Sequence, residues 1–132
     1  MKKRFKKWQA PEIEDGKPTK YNWVVKNLRD FKLGQNTDIG AFTYMNAKFG
    51  IEIGAEVQIG SHCSIYSIST IDGKKGRVIL KENCKIGTHS TIMPGVTIGK
   101  NSIVGAYSFV KEDIPDNVMA YGVPAKVIKP VK

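Results

Sequence analysis

The sequence is poor in the residues that build disulfide frameworks and metal centres. Its 132 residues include two cysteines and two histidines, too few cysteines for the stapled scaffold of a small secreted protein. Cys63 and Cys84 also fall where the repeat described below places small inward-facing residues. Core packing is therefore favoured over a disulfide or a metal site, and a reducing, cytoplasmic compartment is predicted.

Long apolar segments are also lacking. There is no run of about 18 apolar residues, so the sequence predicts no membrane span. The basic opening MKKRFKKW is followed by the polar stretch QAPEIEDGKPTK instead of an apolar core, and a signal peptide is not expected. The length fits a single domain.

Acidic residues are outnumbered by lysine and arginine, 12 to 21, which gives a net charge of +9. The basic residues are spread along the chain and the aromatic-plus-glycine patterns of RNA-binding sheets are missing, so nucleic acid is not a predicted partner. The charge favours an anionic small molecule, such as a phosphate-bearing cofactor or a nucleotide-linked substrate, although solubility alone would also explain it. We interpret MKKRFKK as a disordered arm.

What the sequence does contain is a six-residue repeat. Aliphatic residues recur at every sixth position in its second half, at Ile86, Ile92, Ile98, Val104 and Val110. A helix, with about 3.6 residues per turn, cannot keep this repeat on one face. Residues typical of turns follow each aliphatic, so each unit is a short strand plus a corner. Such units wind into a prism whose coils stack about 4.8 Å apart, and the pattern predicts a β-solenoid.

The same phase occurs earlier, at Ile53, Ile59, Ile65 and Ile71, with a weaker run at Leu33, Ile39 and Met45. From Ile71 to Leu80 the spacing is nine residues, which predicts a three-residue excess in a short loop over 72–77. Insertions in repeat proteins collect on one face, often the binding face. This loop is therefore either a functional segment or a solvated excursion.

Residues 1–30 lack the repeat and are assigned as an N-terminal arm and cap, with the solenoid at 31–132. Within the cap, Val24, Leu28 and Phe31 stand at helical spacing. We predict a short helix there that covers the open first coil, because the ends of solenoids need capping.

The end of the chain carries a family resemblance. The segment IGTHSTIMPGVTIGKNSIVGAYSFV, followed by KEDIPDNVMAYGVPAKVIK, closely resembles the closing signature of the hexapeptide-repeat acyltransferases, which include maltose, galactoside and xenobiotic acetyltransferases. The resemblance covers the chain from about Leu33 to Lys129. It implies an all-β fold, a left-handed parallel β-helix with a short N-terminal non-repeat cap. It also implies a homotrimer with active sites between subunits, and acetyl-CoA as the acyl donor.

The resemblance further implies a set of residues that bind the donor. Gly105, Ala106 and Ser108 match family positions along the CoA groove, although Tyr107 stands where many relatives have glycine. Lys126 matches a basic position near the phosphates of CoA, and Lys129 is nearby.

The chain departs from the family at the catalytic base. Maltose-type enzymes place a histidine in a stretch of the form Tyr-Thr-Ala-Gly-His-Pro, whereas the matching stretch here is YSISTI, with Thr70 at that position. His62 and His89 remain as candidate general bases, since imidazole titrates in the required range. Each follows an inward isoleucine by three residues, so both point outward. With three loop residues discounted, their spacing predicts adjacent sides of the prism, where contact is possible only across a subunit interface.

The missing histidine favours an amine acceptor. A sugar amine is partly neutral near physiological pH and needs mainly positioning, whereas a sugar hydroxyl needs a base. The leading hypothesis is an acetyl-CoA-dependent acetyltransferase acting on a nucleotide-linked amino sugar in surface-polysaccharide or glycan synthesis. Sugar O-acetylation with His62 or His89 as base is the first alternative, and a non-catalytic solenoid scaffold is the second. The zinc site of β-helix carbonic anhydrases needs three histidines, so no metal is expected.

Acceptor contacts are predicted in two segments. In GAFTYMNAKFG, Tyr44 could stack on a sugar ring, Asn46 could donate and accept hydrogen bonds, and Lys48 lies beside them. Alternatively, these residues form a loose early coil that covers the prism end. The oxyanion formed during acyl transfer would need a donor, either a backbone N–H or the hydroxyl of Ser67 or Ser69.

Overall fold

The computed structural model describes residues 4–131, and this part of the chain consists of short strands that wind into a prism. Among these residues there are 17 strands, one 3-10 turn at Leu28–Asp30 and no α-helix. No helix in the described range is long and apolar enough to cross a membrane.

Three sheets form the sides of the prism. Sheet A contains β1 (Val24–Lys26), β4 (Tyr44–Asn46), β7 (Ser64–Tyr66), β12 (Thr91–Ile92) and β15 (Phe109–Val110). Sheet B contains β2 (Phe31–Leu33), β5 (Ile51–Ile53), β10 (Val78–Leu80) and β13 (Thr97–Ile98). Sheet C contains β3 (Asp38–Ile39), β6 (Gln58–Ile59), β11 (Lys85–Ile86), β14 (Ile103–Val104), β16 (Val118–Gly122) and β17 (Ala125–Pro130). The chain visits A, B and C in turn, and successive visits pair in parallel, so the fold is a parallel β-helix.

The core consists of the residues of the six-residue repeat whose side chains face the inside of the prism. All the predicted aliphatics from Ile53 to Val110 are buried except Ile71. Small side chains alternate with them: Cys63, Cys84 and Ser102 are almost fully buried. Both cysteines are free thiols, as core packing predicted. Burial raises the pKa of the Cys84 thiol to about 12 and also raises that of Cys63.

The loop between Ile65 and Leu80 is longer than predicted. Ile65 pairs with Ile92, 27 residues later, whereas Ile92 pairs with Val110, 18 residues later. The excess is therefore nine residues, and it forms an antiparallel hairpin of β8 (Ile68–Ser69) and β9 (Lys74–Lys75). Ile71 lies at the tip and is 98% exposed. The prediction that Ile71 faces inward is wrong, because the chain leaves the prism directly after Ser67.

The predicted N-terminal helix is also wrong. Val24–Lys26 is the first strand of sheet A and pairs in parallel with Tyr44–Asn46, so the stack begins within residues 1–30. Val25 and Trp23 are buried in the core. The unpaired edge of β4 offers backbone hydrogen bonds that outweigh the weak helical preference of this short segment, and only the 3-10 turn remains.

The basic segment MKKRFKK begins with residues 1–3, which lie outside the described range. Arg4 forms an ion pair with Asp38 at 2.6 Å. Nearby, the indole N–H of Trp8 donates a 2.9 Å hydrogen bond to the Thr37 carbonyl. These two contacts hold residues 4–8 against the first coil.

Candidate active site

Four aromatic rings stack along one corner of the prism. The corner between sheets C and A carries Phe42, His62, His89 and Tyr107, one from each coil, and we call them the ring column. The His62 and His89 rings lie 4.7 Å apart and 4° from parallel, and those of His89 and Tyr107 lie 4.7 Å apart at 9°. Phe42 meets His62 at 5.2 Å. All four side chains are exposed.

The prediction that the two histidines occupy adjacent sides is therefore wrong. They lie in one column of one chain and touch without a partner subunit. The error comes from the loop: the hairpin adds nine residues, so the 27-residue spacing of the histidines equals one complete coil. The correct length of the insertion would have placed them together from the sequence alone.

The ring column occupies backbone positions whose conformation is unusual for bulky side chains. Each of its residues has a left-handed backbone conformation, with φ between 56° and 65°. The corner between sheets B and C has the same conformation, but mostly asparagine fills it, as at Asn36, Asn83, Asn101 and Asn117. Asparagine tolerates this conformation well, whereas bulky side chains rarely adopt it. Because strained residues of this kind cluster at functional sites, the ring column marks the corner as a candidate site.

His89 is held by hydrogen bonds as well as by stacking. Its Nδ1 atom lies 2.8 Å from the Thr88 hydroxyl. That hydroxyl donates a 2.8 Å hydrogen bond to the Ser61 carbonyl and lies 3.2 Å from the Ser61 hydroxyl. His89 therefore combines an oriented Nδ1 with an Nε2 that makes no hydrogen bond within residues 4–131.

His62 differs from its neighbour. Within residues 4–131, no hydrogen bond reaches either of its ring nitrogens, and its contacts are the rings of Phe42 and His89. Of the two predicted bases, only His89 has the hydrogen-bonded orientation that a general base uses.

The residues predicted to bind the donor separate into two groups. Ala106 is exposed on the corner beside the ring column, and Lys126 and Lys129 are exposed on β17. Ser108 is buried, and its hydroxyl donates to the Gly105 carbonyl at 2.7 Å and accepts from the Gly122 amide at 3.2 Å. The structure thus places Ser108 and Gly105 in the joint between the last coil and the β16–β17 hairpin.

The predicted acceptor residues also divide between surface and interior. Tyr44 and Asn46 face outward on sheet A, and Lys48 is exposed at the next corner. Ser67 is buried; its hydroxyl donates to the Asn46 carbonyl and accepts from the Phe49 amide. Ser69 lies on the hairpin strand β8.

The outer face of sheet A links these parts. It is bounded by the ring column at one edge and by the hairpin at the other. Tyr66, which the sequence did not single out, lies on this face with its ring 6.1 Å from that of Tyr44. The register of β4 with β7, which pairs Asn46 with Tyr66, brings these rings together, and the residue spacing alone did not reveal it.

The orientation of the Asn46 amide is fixed by its neighbours. Its Oδ1 atom accepts hydrogen bonds from Asn27 Nδ2 at 2.8 Å and from the Lys48 amide at 3.2 Å. Both lone pairs of Oδ1 are then used. Asn46 is left with its Nδ2 group as a donor, so of the two predicted capacities only donation is left for a ligand.

Metal ligands do not gather at this site. Within the described residues there is no group of three or more histidine, cysteine, aspartate or glutamate side chains arranged to hold a metal ion.

Comparison with known proteins agrees with the repeat and the fold. Residues 77–112 match the family described as bacterial transferase hexapeptide (six repeats). The chain belongs to the hexapeptide-repeat acyltransferases, and the prediction of an all-β, left-handed parallel β-helix is confirmed.

Particular relatives include enzymes that act on sugars. The chain is 37% identical over 116 residues to the galactoside O-acetyltransferase of Escherichia coli (strain K12), covering 76% of this chain and 57% of the relative. A hexapeptide-repeat acetyltransferase from Vibrio cholerae, in complex with acetyl coenzyme A, has a TM-score of 0.77 at 26% identity, covering 83% and 65% of the two chains. The N-acyltransferase AntD of Bacillus cereus, in complex with dTDP and 3-hydroxybutyryl-CoA, has a TM-score of 0.65 at 31% identity, covering 84% and 70%.

The chain spans just over half the length of the curated galactoside acetyltransferases it matches, 53% and 57% of them.

Proposed function

We propose that this protein transfers an acetyl group from acetyl-CoA to the amino group of a nucleotide-linked sugar, in surface-polysaccharide or glycan synthesis. The observation that carries the proposal of acyl transfer, to either kind of acceptor, is the oriented imidazole of His89, exposed beside Ala106 on a corner of a hexapeptide-repeat β-helix. The choice of an amine acceptor rests on two further observations. The exposed segment of the hairpin carries Thr70 where maltose-type enzymes have histidine, and the similar protein AntD is an N-acyltransferase.

The residues around His89 fit a pantetheine arm and its phosphates. Backbone hydrogen bonds link successive coils along the corner that carries the ring column. Ala106 is the last residue of this series, and its carbonyl accepts no hydrogen bond within residues 4–131. The methyl side chain of Ala106 leaves that carbonyl open to an incoming amide. Lys126 and Lys129 supply exposed positive charge on β17 for the phosphates. Bound there, the donor supplies a thioester carbonyl as the acyl electrophile.

The chain's own residues would then handle the proton and the acceptor. Nε2 of His89 takes the proton that the acceptor nitrogen loses as its bond to the acetyl carbon forms. The same imidazolium returns that proton to the departing sulfur as the carbon–sulfur bond breaks, so the products are the acetamide and the free thiol. Asn46 Nδ2 and the Tyr44 ring lie on the adjoining face, where they can contact a sugar.

A homotrimer is part of the proposal. The ring column and the hairpin lie at opposite edges of sheet A, so one chain does not bring Ser69 or Thr70 to its own His89. A three-fold arrangement of prisms would set the hairpin of one subunit beside the ring column of the next. The predicted compartment remains the cytoplasm, where two reduced thiols are expected.

O-acetylation of a sugar is the second candidate. It is favoured by the similarity to a galactoside O-acetyltransferase and by the orientation of His89, since a hydroxyl acceptor depends more strongly on a base than an amine does.

A thiol-release assay with acetyl-CoA tests these proposals. The acceptors are nucleotide-linked amino sugars and their hydroxyl counterparts, and the chains are the parent, His89→Ala and the matched control His62→Ala. We expect turnover with the amines and a fall in kcat of about 100-fold or more in His89→Ala, with a smaller effect in His62→Ala. Turnover only with hydroxyl acceptors would establish O-acetylation instead. No turnover with any acceptor would leave the scaffold hypothesis.

A further inference from the structure

We infer that the Thr88 hydroxyl is a positioning group that fixes His89 in the tautomer with its proton on Nδ1, which leaves the Nε2 lone pair free to act as the base. This inference rests on the proposed function for its catalytic meaning, but the tautomer itself is a property of the chain alone. It distinguishes His89 from His62, whose ring nitrogens have no hydrogen-bond partner within residues 4–131.

The argument begins with the single proton of the Thr88 hydroxyl. That hydroxyl lies 2.8 Å from the Ser61 carbonyl, which can only accept, so the hydroxyl proton is used there. Its oxygen is also 2.8 Å from His89 Nδ1. With its proton already donated, the oxygen can only accept from Nδ1, and Nδ1 must therefore carry a hydrogen.

The Ser61 hydroxyl completes the same network. It lies 3.2 Å from the Thr88 oxygen and has a proton to donate. Thr88 then donates one hydrogen bond and accepts two, from Ser61 and from His89 Nδ1, which uses the full capacity of a hydroxyl group. The Ser61 carbonyl also accepts the His89 backbone N–H at 3.1 Å, so the argument rests on the Thr88 oxygen itself: only this assignment places a hydrogen atom in each of its three contacts.

Stacking fixes the remaining freedom of the ring. His89 lies between His62 and Tyr107, with both neighbours at 4.7 Å and within 9° of parallel. The ring can therefore neither tilt nor turn away without losing a stacked face on both sides. A general base held by an orienting partner in this way is pre-organised for proton transfer.

His62 provides the internal comparison. It has the same backbone conformation and the same corner position, and the residue before it, Ser61, also carries a hydroxyl. Yet within the described chain its ring nitrogens have no hydrogen-bond partner, because the Ser61 hydroxyl lies against Thr88 instead. Its tautomer is left unfixed, and we assign it the role of a stacking support.

The test is nitrogen NMR of the imidazole rings in chains labelled with 15N-histidine. With only two histidines, two ring systems are observed, and His62→Asn identifies the signals of His89. Long-range proton–nitrogen correlations report which ring nitrogen carries the hydrogen. The variants are Thr88→Val, which removes the hydroxyl but keeps the shape, and Thr88→Ser, which restores it.

We expect His89 of the parent at high pH to be in the Nδ1–H form, Thr88→Val to move it to the Nε2–H form, and Thr88→Ser to return it. In the acetylation assay we expect kcat to fall about tenfold in Thr88→Val, the factor that loss of one hydrogen bond produces, with recovery in Thr88→Ser. The alkaline plateau of the pH profile should be lowered, because less of the neutral ring then presents a free Nε2.

Two results would overturn the inference. One is an Nε2–H tautomer at His89 in the parent, and the other is an unchanged His89 tautomer in Thr88→Val. Absence of acetyl transfer alongside the Nδ1–H tautomer would contradict the proposed function and support the assignment of the tautomer, so the two claims fail separately.

Discussion

Replacing Arg77 should loosen the base of the hairpin. The guanidinium Nη2 lies 2.9 and 2.8 Å from the two carboxylate oxygens of Asp30, and Nη1 lies 3.7 Å from the Glu52 carboxylate. Asp30 belongs to the 3-10 turn after β1, whereas Arg77 follows the hairpin two coils later. Arg77 therefore links the first three coils at the corner between sheets A and B, through Asp30 in the first and Glu52 in the second.

The size of the effect follows from the exposure of the pair. The side chains of Arg77 and Asp30 are 37% and 39% exposed, so the interaction lies between that of a surface ion pair, about 0.2–1 kcal/mol, and that of a shielded charged hydrogen bond, about 1.5–3 kcal/mol. We expect a coupling free energy of about 1 kcal/mol. Arg77→Ala should cost about 2 kcal/mol in total, because the guanidinium also packs on Gly50 and that contact is lost.

The assay is a double-mutant cycle in denaturant-induced unfolding. The parent, Arg77→Ala, Asp30→Ala and the double variant are compared at one protomer concentration, since association would shift the unfolding midpoint. Arg29→Ala is the matched control, because Arg29 lies on the same turn, is exposed and makes no ion pair within residues 4–131; we expect less than about 0.5 kcal/mol. A coupling energy near zero, or an equal loss in Arg29→Ala, would refute the reasoning.

Three further predictions follow from the corner and the core. Gly50→Ala should destabilise the protein by about 2 kcal/mol, since φ at Gly50 is +103° and a Cβ would lie 2.6 Å from the Arg77 guanidinium carbon. In the Arg77→Ala background the same substitution should cost less. Equal costs in the two backgrounds would show that Gly50 and the Arg77 guanidinium are not in contact. Above pH 9 the parent should lose stability relative to Cys84→Ala. The Cys84 thiol of the unfolded chain ionises with its ordinary pKa of 9.0, whereas burial raises the pKa of the folded thiol to about 12. The free energy of unfolding should fall by about 1.4 kcal/mol for each pH unit between these values, and parallel pH–stability curves for the two chains would rule this out. Both thiols should resist an aromatic disulfide reagent in native buffer and react only with the rate of unfolding; rapid native labelling at Cys63 or Cys84 would show that burial does not protect them.

The regular part of the fold was predictable because a strict repeat leaves few alternatives. Ile86, Ile92 and Ile98 all face the core, since six residues are one side of the prism. Ile71 kept the spacing by coincidence and lies at the hairpin tip. Periodicity cannot tell a residue on the repeat from one that merely coincides with it, because the hairpin is stabilised by its own antiparallel pairing.

The geometry of the candidate site was less predictable than the fold. His62 and His89 were selected because imidazoles are rare in this chain, but their stacking depended on the length of an insertion. The roles of Ser67 and Ser108 depended on burial, and their hydroxyls satisfy backbone groups such as the Asn46 and Gly105 carbonyls. The tautomer of His89 depended on Thr88 and Ser61, a contact between coils 27 residues apart, which a single sequence does not display.

The coils differ in length, and the extra residues all lie at one corner of the prism. The first two coils advance by 20 residues, the third by 27 and the fourth by 18, and each difference arises between sheets A and B. The corner that carries the rings keeps one length throughout. A hairpin of another sequence or size should therefore be graftable after Ser67 without shifting the register of the stacked rings.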